Sequence, residues 1–461
     1  MAMRKLTSSF RDPSGLLFIR EGILYRQIHT SYREDFEMLM NSGLYRELVG
    51  DRLLIAHENA SLEHAFSKDA CAVIKPLFIP FISYPYEWCF GQLQDAARAI
   101  LAIQKRALMH GMSLKDASAY NIQFVGGKPL LIDTLSFERY REGFPWIAYR
   151  QFCQHFLAPL ALMSYIDVRL SSLLRLYVDG VPLDLASKLL PTWTYGRFSL
   201  LSHIHLHAKS QNYFADKDAP RRSLRMSRAS FLGIIESLER AVRNLTWNPA
   251  GTEWADYYTD TNYSNEALLG KVAIVDSFLS MISPKTVWDF GGNDGRFSRR
   301  ASDRKIATIC FDNDPAAIEK NYRTVRSKNE EFLLPLILDM ANPSPALGWG
   351  SEERMSIIER APVDCAFALA LVHHLAIGNN VPFSMIAQFF SRVTHYLIIE
   401  FVPKNDSQVK RLLRTREDIF PAYTEKDFRD SFGEFFVIEQ ERHIDGTERV
   451  LYLMRKKPAL K

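Results

Sequence analysis

The chain has 461 residues, too many for one ordinary hydrophobic core, so we expect two or three domains. Its composition, 47% hydrophobic and 24% charged, is typical of a folded protein and excludes an intrinsically disordered one. The formal net charge is only +4, so the charge balance indicates neither nucleic acid nor a membrane surface as a partner.

The cysteines and the N-terminus indicate a reducing compartment. The five cysteines are scattered and form no Cys-x-x-Cys pair, which argues against a disulfide framework or a zinc site. Residues 1–15 lack the apolar core of a signal peptide, and the longest apolar stretch, residues 156–166, is too short to cross a bilayer. We therefore expect a cytoplasmic protein with no metal site.

The N-terminal half changes character near residue 86. Up to that point short apolar runs alternate, with one helical stretch at 32–49, which predicts a small α+β unit over residues 1–86. Apolar residues then recur at helical spacing, so residues 87–250 are predicted to be mainly helical. The polar, Pro- and Gly-containing segment 247–253 predicts a domain boundary.

A group of polar residues in this half has the spacing of a phosphotransferase site. Asp116 and Asn121 form the pattern D-x-x-x-x-N, and the run KPLLID ends in Asp133. The pattern resembles the catalytic loop and metal-binding motif of the protein-kinase and aminoglycoside-phosphotransferase superfamily. The resemblance implies that Asp116 orients the acceptor hydroxyl while Asn121 and Asp133 hold magnesium on ATP.

Other parts of that superfamily's pattern are missing. No Gly-x-Gly-x-x-Gly loop precedes the early strands, and Arg26 stands where a phosphate-binding lysine is expected, with Glu34 or Glu37 as possible partners. We therefore expect a kinase-like module that has lost phosphoryl transfer. The structural alternative is that Asp116 and Asn121 cap a turn and that Asp133 ends a hairpin.

The alternating histidines His203, His205 and His207 allow two interpretations. A strand would place all three on one face, as a metal site requires, whereas a helix would separate His205 from the others. The flanking sequence fits a helix equally well, and we predict no bound metal.

Residues 251–461 have the pattern of a mainly parallel, doubly wound sheet. Apolar runs, among them KTVWDF, ATICFD, LPLILD and YLIIEF, alternate with helical segments. The predicted fold class is α/β: a seven-stranded Rossmann-like sheet preceded by the α+β kinase-like module.

Acidic residues end three successive predicted strands in this region. Asp289 begins the glycine-rich turn DFGGNDG, which lets a ligand approach the backbone closely. Asp312 ends the second run, where a carboxylate accepts hydrogen bonds from ribose hydroxyls, and Asp339 ends the third, near an adenine amino group. The dehydrogenase fingerprint G-x-G-x-x-G is absent.

This arrangement resembles the class I S-adenosylmethionine-dependent methyltransferases, including nodulation-protein-type members. The resemblance implies S-adenosylmethionine as the cofactor, with the first acid and the glycines around its methionine part. Asn293 replaces the middle glycine, and asparagine tolerates positive φ well. The predicted cofactor-binding residues are Asp289, Gly291, Gly292, Asn293, Gly295, Asp312, Asp339 and Tyr258.

Two further features bear on catalysis. His373 and His374 follow the fourth strand, where one of them could be the general base or could close the pocket as a structural residue. Tyr258 lies in an aromatic segment, where it could contact the sulfonium by cation–π attraction or pack against the sheet.

These patterns predict a bacterial methyltransferase that acts on a small-molecule or glycan hydroxyl, by analogy with fusions that modify glycans and secondary metabolites. No nucleic acid and no membrane are expected as partners. Two alternatives stay open: a bifunctional kinase and methyltransferase that uses Mg-ATP, and a scaffold that binds the cofactor without catalysis.

Overall fold

The computed structural model describes residues 3–207, 226–250, 265–414 and 417–458. The chain divides into two compact units. The first comprises residues 1–248 together with Leu347–Arg354, and the second comprises residues 249–346 and 355–461. The further division of the first unit at residue 86 stays a prediction.

The first unit begins with a five-stranded antiparallel sheet in the order β1-β2-β3-β5-β4. Two separate clusters of buried residues pack against it, one that contains Phe18 and Tyr25 and one that contains Ile28 and Ile74. The strands are β1 (Arg4–Lys5), β2 (Gly15–Arg20), β3 (Ile23–His29), β4 (His57–Ala60) and β5 (Ala70–Pro76).

The predicted helical stretch at 32–49 is two helices, α1 (Arg33–Asn41) and α2 (Leu44–Gly50). Gly43 has a left-handed φ of 90°, which interrupts the helix between them. Such a φ is inexpensive only for glycine, so this residue sets the break.

The rest of the first unit is mainly helical, as its apolar spacing predicts. Helix α3 is its centre and is buried along most of its length. The helices are α3 (Phe90–Met109), α4 (Tyr149–Phe152), α5 (Ala158–Tyr165), α6 (Leu173–Leu176), α7 (Leu183–Leu189), α8 (Phe198–Leu200) and α9 (Arg228–Asn244). Two short antiparallel ribbons complete it: β6 (Met112–Leu114) with β9 (Phe137–Arg139), and β7 (Ile122–Val125) with β8 (Lys128–Leu131).

The histidine-rich segment is helical at Leu201–His205, so the strand interpretation does not apply. The His203 Nδ1 atom forms a hydrogen bond with the Tyr149 hydroxyl at 2.7 Å, and the His205 Nε2 atom forms one with the Thr194 hydroxyl at 2.9 Å. Their separate partners show that each ring packs as part of the helical core.

The segment Leu347–Arg354 belongs to the first unit although the residues on both sides of it in the sequence belong to the second. Glu353 accepts hydrogen bonds from the Arg11 guanidinium at 2.7 and 3.1 Å. The Arg354 guanidinium lies 4.5 Å from the centre of the Tyr120 ring. A charge-assisted bidentate pair and a cation–π contact therefore attach this segment.

The second unit contains the predicted seven-stranded sheet, in the order β12-β11-β10-β13-β14-β16-β15. The first five strands are parallel to one another, and β16 is antiparallel to both of its neighbours, β14 and β15. The strands are β10 (Thr286–Phe290), β11 (Ala307–Asp312), β12 (Leu333–Ile337), β13 (Val363–Ala368), β14 (Thr394–Phe401), β15 (Phe436–His443) and β16 (Val450–Lys456).

Helices pack against this sheet and bury its apolar strands. One core cluster joins Phe278, Val287, Phe367 and Ile398, all fully buried. The helices are α10 (Asn265–Ile282), α11 (Ser298–Ser302), α12 (Pro315–Lys328), α13 (Phe383–Val393), α14 (Ser407–Leu413) and α15 (Glu425–Gly433). Within the described residues of the chain, we find no helix with the length and apolar character needed to span a bilayer.

Candidate functional site

The three predicted acids lie at one edge of the second unit's sheet. Parallel pairing of β10, β11 and β12 brings their carboxyl ends together. Asp289, Asp312 and Asp339 all line a single cavity of about 340 Å³. The sheet therefore assembles the acids that the sequence predicts as cofactor-binding residues.

The glycine-rich turn wraps closely around the end of β10. Gly291 has a φ of 75°, and a Cβ on Gly292 would lie 2.5 Å from the Cys310 sulfur and 2.8 Å from the Asp289 carboxylate. Asn293, the residue that replaces the middle glycine, adopts a φ of 50°. The substitution therefore preserves the left-handed turn, and all three residues line the cavity.

Gly295 allows close packing next to the turn. It has a φ of 83°, and a Cβ there would lie 2.5 Å from the Asn321 side chain on α12. It is not among the residues that line the cavity. Because glycine has no side chain, the turn can pack closely against the helix at this position.

A backbone hydrogen bond joins the first two acidic turns. The Asn293 N–H donates to Asp312 Oδ2 at 2.8 Å, and the Asp314 N–H donates to Asp312 Oδ1 at 2.8 Å. The Ser298 hydroxyl donates to Asp289 Oδ2 at 2.6 Å. These donors fix the orientation of both carboxylates.

Burial makes both carboxylates reluctant to ionise. Burial raises the pKa of Asp289 to about 6, the Ser298 hydroxyl opposes that shift, and the neighbouring Asp312 adds to it. Burial likewise raises the pKa of Asp312 to about 6, against the hydrogen bonds of its backbone donors. The Lys271 ammonium on the same cavity wall opposes the rise for Asp289 but is not the largest effect on its pKa.

The third acid lies in a more apolar part of the cavity. Asp339 Oδ1 accepts a hydrogen bond from the Ala341 N–H at 2.8 Å, which sets the turn after β12. Leu338 and Met340 line the cavity beside it. Apolar walls with one acceptor suit a flat aromatic ring that carries an amino group.

The two predicted histidines occupy different places. His374 lines the cavity, whereas His373 is only 1% exposed and is not among the lining residues. Burial, together with the charge of Arg449, lowers the pKa of His374 to about 4, and burial also lowers the pKa of His373 well below its usual value. Both imidazoles are therefore neutral near pH 7, and only His374 faces the ligand space.

The structure also adds a buried charge cluster to the site. Lys271 lines the cavity and donates to Glu400 Oε2 at 2.6 Å. Arg449 donates to Glu400 Oε1 at 3.3 Å and to Asp406 at 2.8 and 3.0 Å. The sequence analysis missed this cluster, although a glutamate inside the apolar run YLIIEF is the signal that could have found it. Tyr258 lies outside the described residues.

In the first unit the kinase-like residues lie close to one another. The charge of Asp133 raises the pKa of Asp116, although burial contributes more. The Asp116 carboxylate accepts a hydrogen bond from the Ser118 N–H at 2.9 Å, and the nearby Asn121 side chain opposes the rise in its pKa. Asp133 accepts from the Leu135 N–H at 2.9 Å and the Ser136 hydroxyl at 2.7 Å.

Arg26 lies in this cluster as its buried cation. Its guanidinium contacts Asp133 Oδ1 at 2.6 Å and Asp12 Oδ2 at 2.7 Å, and its side chain is 8% exposed. The expected pairing with Glu34 or Glu37 is wrong, because these residues pair with Arg139 and Arg33 on the surface. The β2–β3 hairpin instead directs the Arg26 side chain to Asp133, which follows β8.

The fold and site define a class of protein. The strand order, the glycine-rich turn after β10 and the acids at the next two strand ends give the second unit the architecture of a class I S-adenosylmethionine-dependent methyltransferase.

The chain belongs to the family of nodulation protein NoeA. It is 35% identical over 460 residues to NoeA of Rhizobium meliloti (strain 1021), a match that covers 98% of this chain and 96% of the relative. No protein-family model matches the sequence.

Solved structures resemble parts of the chain. The magnesium protoporphyrin IX methyltransferase ChlM of Synechocystis PCC 6803, with bound SAH, has a TM-score of 0.31 at 15% identity, covering 43% of this chain and 91% of its own. The N-methyltransferase NodS of Bradyrhizobium japonicum WM9 has a TM-score of 0.31 at 13% identity, covering 42% and 99%. WbdD has a TM-score of 0.32 at 16% identity, covering 45% and 43%. Scores this low establish no shared function.

The raised pKa of Asp289 predicts a pH-dependent gain in stability for Asp289→Asn. Ionising the buried Asp289 carboxylate lowers the free energy of unfolding of the protein without cofactor. The stabilising contribution of protonated Asp289 is therefore complete below about pH 4 and is lost as the pH rises through 6. Asparagine avoids that cost, so the variant is expected to be more stable above pH 7 by on the order of 2 kcal/mol. Urea denaturation of ligand-free protein from pH 4 to 8 measures the difference. A gain that does not change with pH would contradict the assignment.

Proposed function

We propose that the protein is an S-adenosylmethionine-dependent methyltransferase that acts on a hydroxyl of a small molecule or glycan. The observation that carries the proposal is the single cavity lined by Asp289, Asp312 and Asp339. The first acid suits the cofactor's ammonium, the second its ribose hydroxyls and the third its adenine amino group. The small net charge, +4, favours an uncharged acceptor over nucleic acid.

Methyl transfer requires alignment more than activation, because the sulfonium is already an electrophile. The protein must hold the acceptor oxygen in line with the methyl group and accept its proton. His374 is the candidate acceptor of that proton, since its imidazole is neutral near pH 7 and lies on the cavity wall. Although its lowered pKa makes it a weak base, it can still accept the proton, because the hydroxyl becomes strongly acidic as the methyl–oxygen bond forms.

The first test is cofactor binding. Isothermal titration with S-adenosylhomocysteine is expected to release heat with the wild-type chain and none with Asp312→Ala, which removes the ribose acceptor and the anchor of the Asn293 N–H. Asp303→Ala, an exposed aspartate outside the cavity lining, is the matched control and should bind normally. Wild-type protein that binds no S-adenosylhomocysteine would overturn the proposal.

The second test separates enzyme from scaffold. Transfer of a labelled methyl group to hydroxyl-bearing oligosaccharides and small molecules is expected with the wild type. His374→Gln should lower kcat by about 100-fold without changing S-adenosylhomocysteine affinity. His395→Gln, an exposed histidine on β14, should leave kcat unchanged. Cofactor binding without transfer to any acceptor would favour the scaffold alternative.

We further propose that the N-terminal unit is a kinase-like module that does not use Mg-ATP. A magnesium ion bound to the phosphates of ATP is also coordinated by the protein, which needs ionised carboxylate oxygens that are not already occupied by other donors. Here Asp133 already contacts the Arg26 guanidinium and accepts hydrogen bonds from two other donors, which supports the proposal that its oxygens do not bind a metal. This arrangement disfavours the bifunctional alternative.

Titration with Mg-ATP tests the module. No heat is expected from the wild-type chain. Mg-ATP binding that Asp133→Asn abolishes would overturn the proposal and restore the bifunctional alternative. Asp51→Asn, which alters an exposed acid on the same unit, serves as the control for nonspecific metal binding.

A further inference from the structure

One tryptophan of the first unit lies on the surface instead of in the core. Trp349 belongs to the segment Leu347–Arg354 and is 76% exposed. Tryptophan side chains are highly buried on average, because an exposed ring forgoes the free energy of burial. We propose that Trp349 stacks on a pyranose ring of a neutral glycan, which makes this turn a carbohydrate-binding surface. The inference rests on the proposed function, whose acceptor class includes glycans.

The backbone around Trp349 has an unfavourable conformation. Gly348 and Gly350 have φ values of 84° and 62°, and Ser351, which carries a Cβ, has a φ of 59°. A left-handed φ is unfavourable for serine and persists only where the surrounding structure imposes it. Residues held in this way are concentrated at ligand-binding and active sites. The conformation therefore indicates a turn whose shape serves the exposed indole.

A buried carboxylate fixes this turn. Glu353 is 4% exposed and accepts hydrogen bonds from the Trp349 N–H at 2.7 Å and from the Arg11 guanidinium at 2.7 and 3.1 Å. The Thr7 hydroxyl donates to the Glu352 carbonyl at 2.5 Å. Because the backbone is anchored on both sides of the indole, a ligand that stacks there does not have to order a loop.

The charges beside the indole favour an uncharged ligand. The Arg11 guanidinium is already paired with Glu353 and lies 5.4 Å from the centre of the Phe10 ring. The exposed side chains that follow the indole, Ser351 and Glu352, offer a hydroxyl and a carboxylate. These groups can bond sugar hydroxyls, whereas the carboxylate repels a phosphate or a nucleic acid.

The size of the aromatic surface favours a sugar ring over a protein partner. Phe10, which is 45% exposed, is the second exposed ring beside the Arg11–Glu353 pair. Aromatic side chains bury about 150 to 250 Å² each, so two of them supply at most about 500 Å², less than the roughly 800 Å² per partner of a stable protein interface. The negative face of an indole attracts the C–H groups of a pyranose ring.

A second exposed tryptophan of the same unit is engaged by neighbouring side chains. Trp193 is 52% exposed, but its ring lies edge-on to the Tyr165 ring at 4.9 Å. The Arg197 guanidinium lies 5.3 Å from the centre of the Trp193 ring. Trp193→Ala is therefore the matched control, since it removes an exposed indole that already has partners within the protein.

Titration of the full-length chain with cellotetraose, maltotetraose and chitotetraose tests the inference. At least one of these neutral sugars is expected to bind and to change the tryptophan fluorescence. Trp349→Ala should raise the Kd of that sugar at least about 10-fold, whereas Trp349→Phe, which keeps a ring, should raise it less than about threefold. Trp193→Ala should leave the Kd within about twofold of the wild-type value.

The opposite results are equally specific. Wild-type protein that binds none of the three sugars, or a Kd that Trp349→Ala leaves unchanged, would overturn the inference. Binding to phosphatidylglycerol vesicles that Trp349→Ala abolishes, without sugar binding, would show that the turn contacts a membrane instead. S-adenosylhomocysteine titration separates the two levels of the argument. Trp349→Ala should bind this ligand as the wild type does, so loss of sugar binding alone counts against the inference. Wild-type protein that does not bind S-adenosylhomocysteine counts against the proposed function.

Discussion

The burial of two carboxylates at the ends of adjacent parallel strands is the constraint on which the second unit's site depends. Asp289 and Asp312 lie where β10 and β11 end, and pairing of the strands leaves them no other position. Burial raises the pKa of each to about 6. Backbone and hydroxyl donors orient the two groups, and the nearby Lys271 ammonium offsets only part of their charge, so a cationic ligand would favour their ionised forms.

Both units contain neighbouring buried carboxylates, and the two units differ in how the negative charge of these groups is balanced. In the first unit, the carboxylates of Asp12 and Asp133 face the guanidinium of Arg26. In the second unit, Asp289 and Asp312 face a cavity. Arg26 contacts both acids of the first unit directly, whereas Lys271 donates to Glu400 and only partly offsets the charge of Asp289, which leaves the acids of the cavity open to a cationic ligand. This contrast explains why similar clusters of acids lead us to opposite proposals about binding.

Much of the second unit could be predicted because its signals are local. Each acid follows an apolar run, and parallel strands bring such ends to one edge, so Asp289, Asp312 and Asp339 could be placed together from the sequence. The positive φ of Asn293 also followed from the known tolerance of asparagine.

The remaining features depend on contacts between residues distant in the sequence. The Lys271–Glu400 pair joins a helix to the fifth strand, and no local pattern specifies it. The partners of Arg26 are set by the hairpin geometry of the first unit, which is why the expected pairing with Glu34 or Glu37 was wrong. His373 and His374 are adjacent in sequence, yet the helical turn after β13 directs only the second into the cavity.

The buried negative charges of Asp289 and Asp312 therefore link ligand binding to the protonation of these two carboxylates. A ligand with an ammonium or sulfonium group lowers the free energy of ionising Asp289 and Asp312, so binding draws protons off them near their pKa of about 6. Lys271 contributes the opposite sign: its nearby ammonium lowers the pKa of Asp289, so part of the negative charge at this edge is offset before any ligand enters.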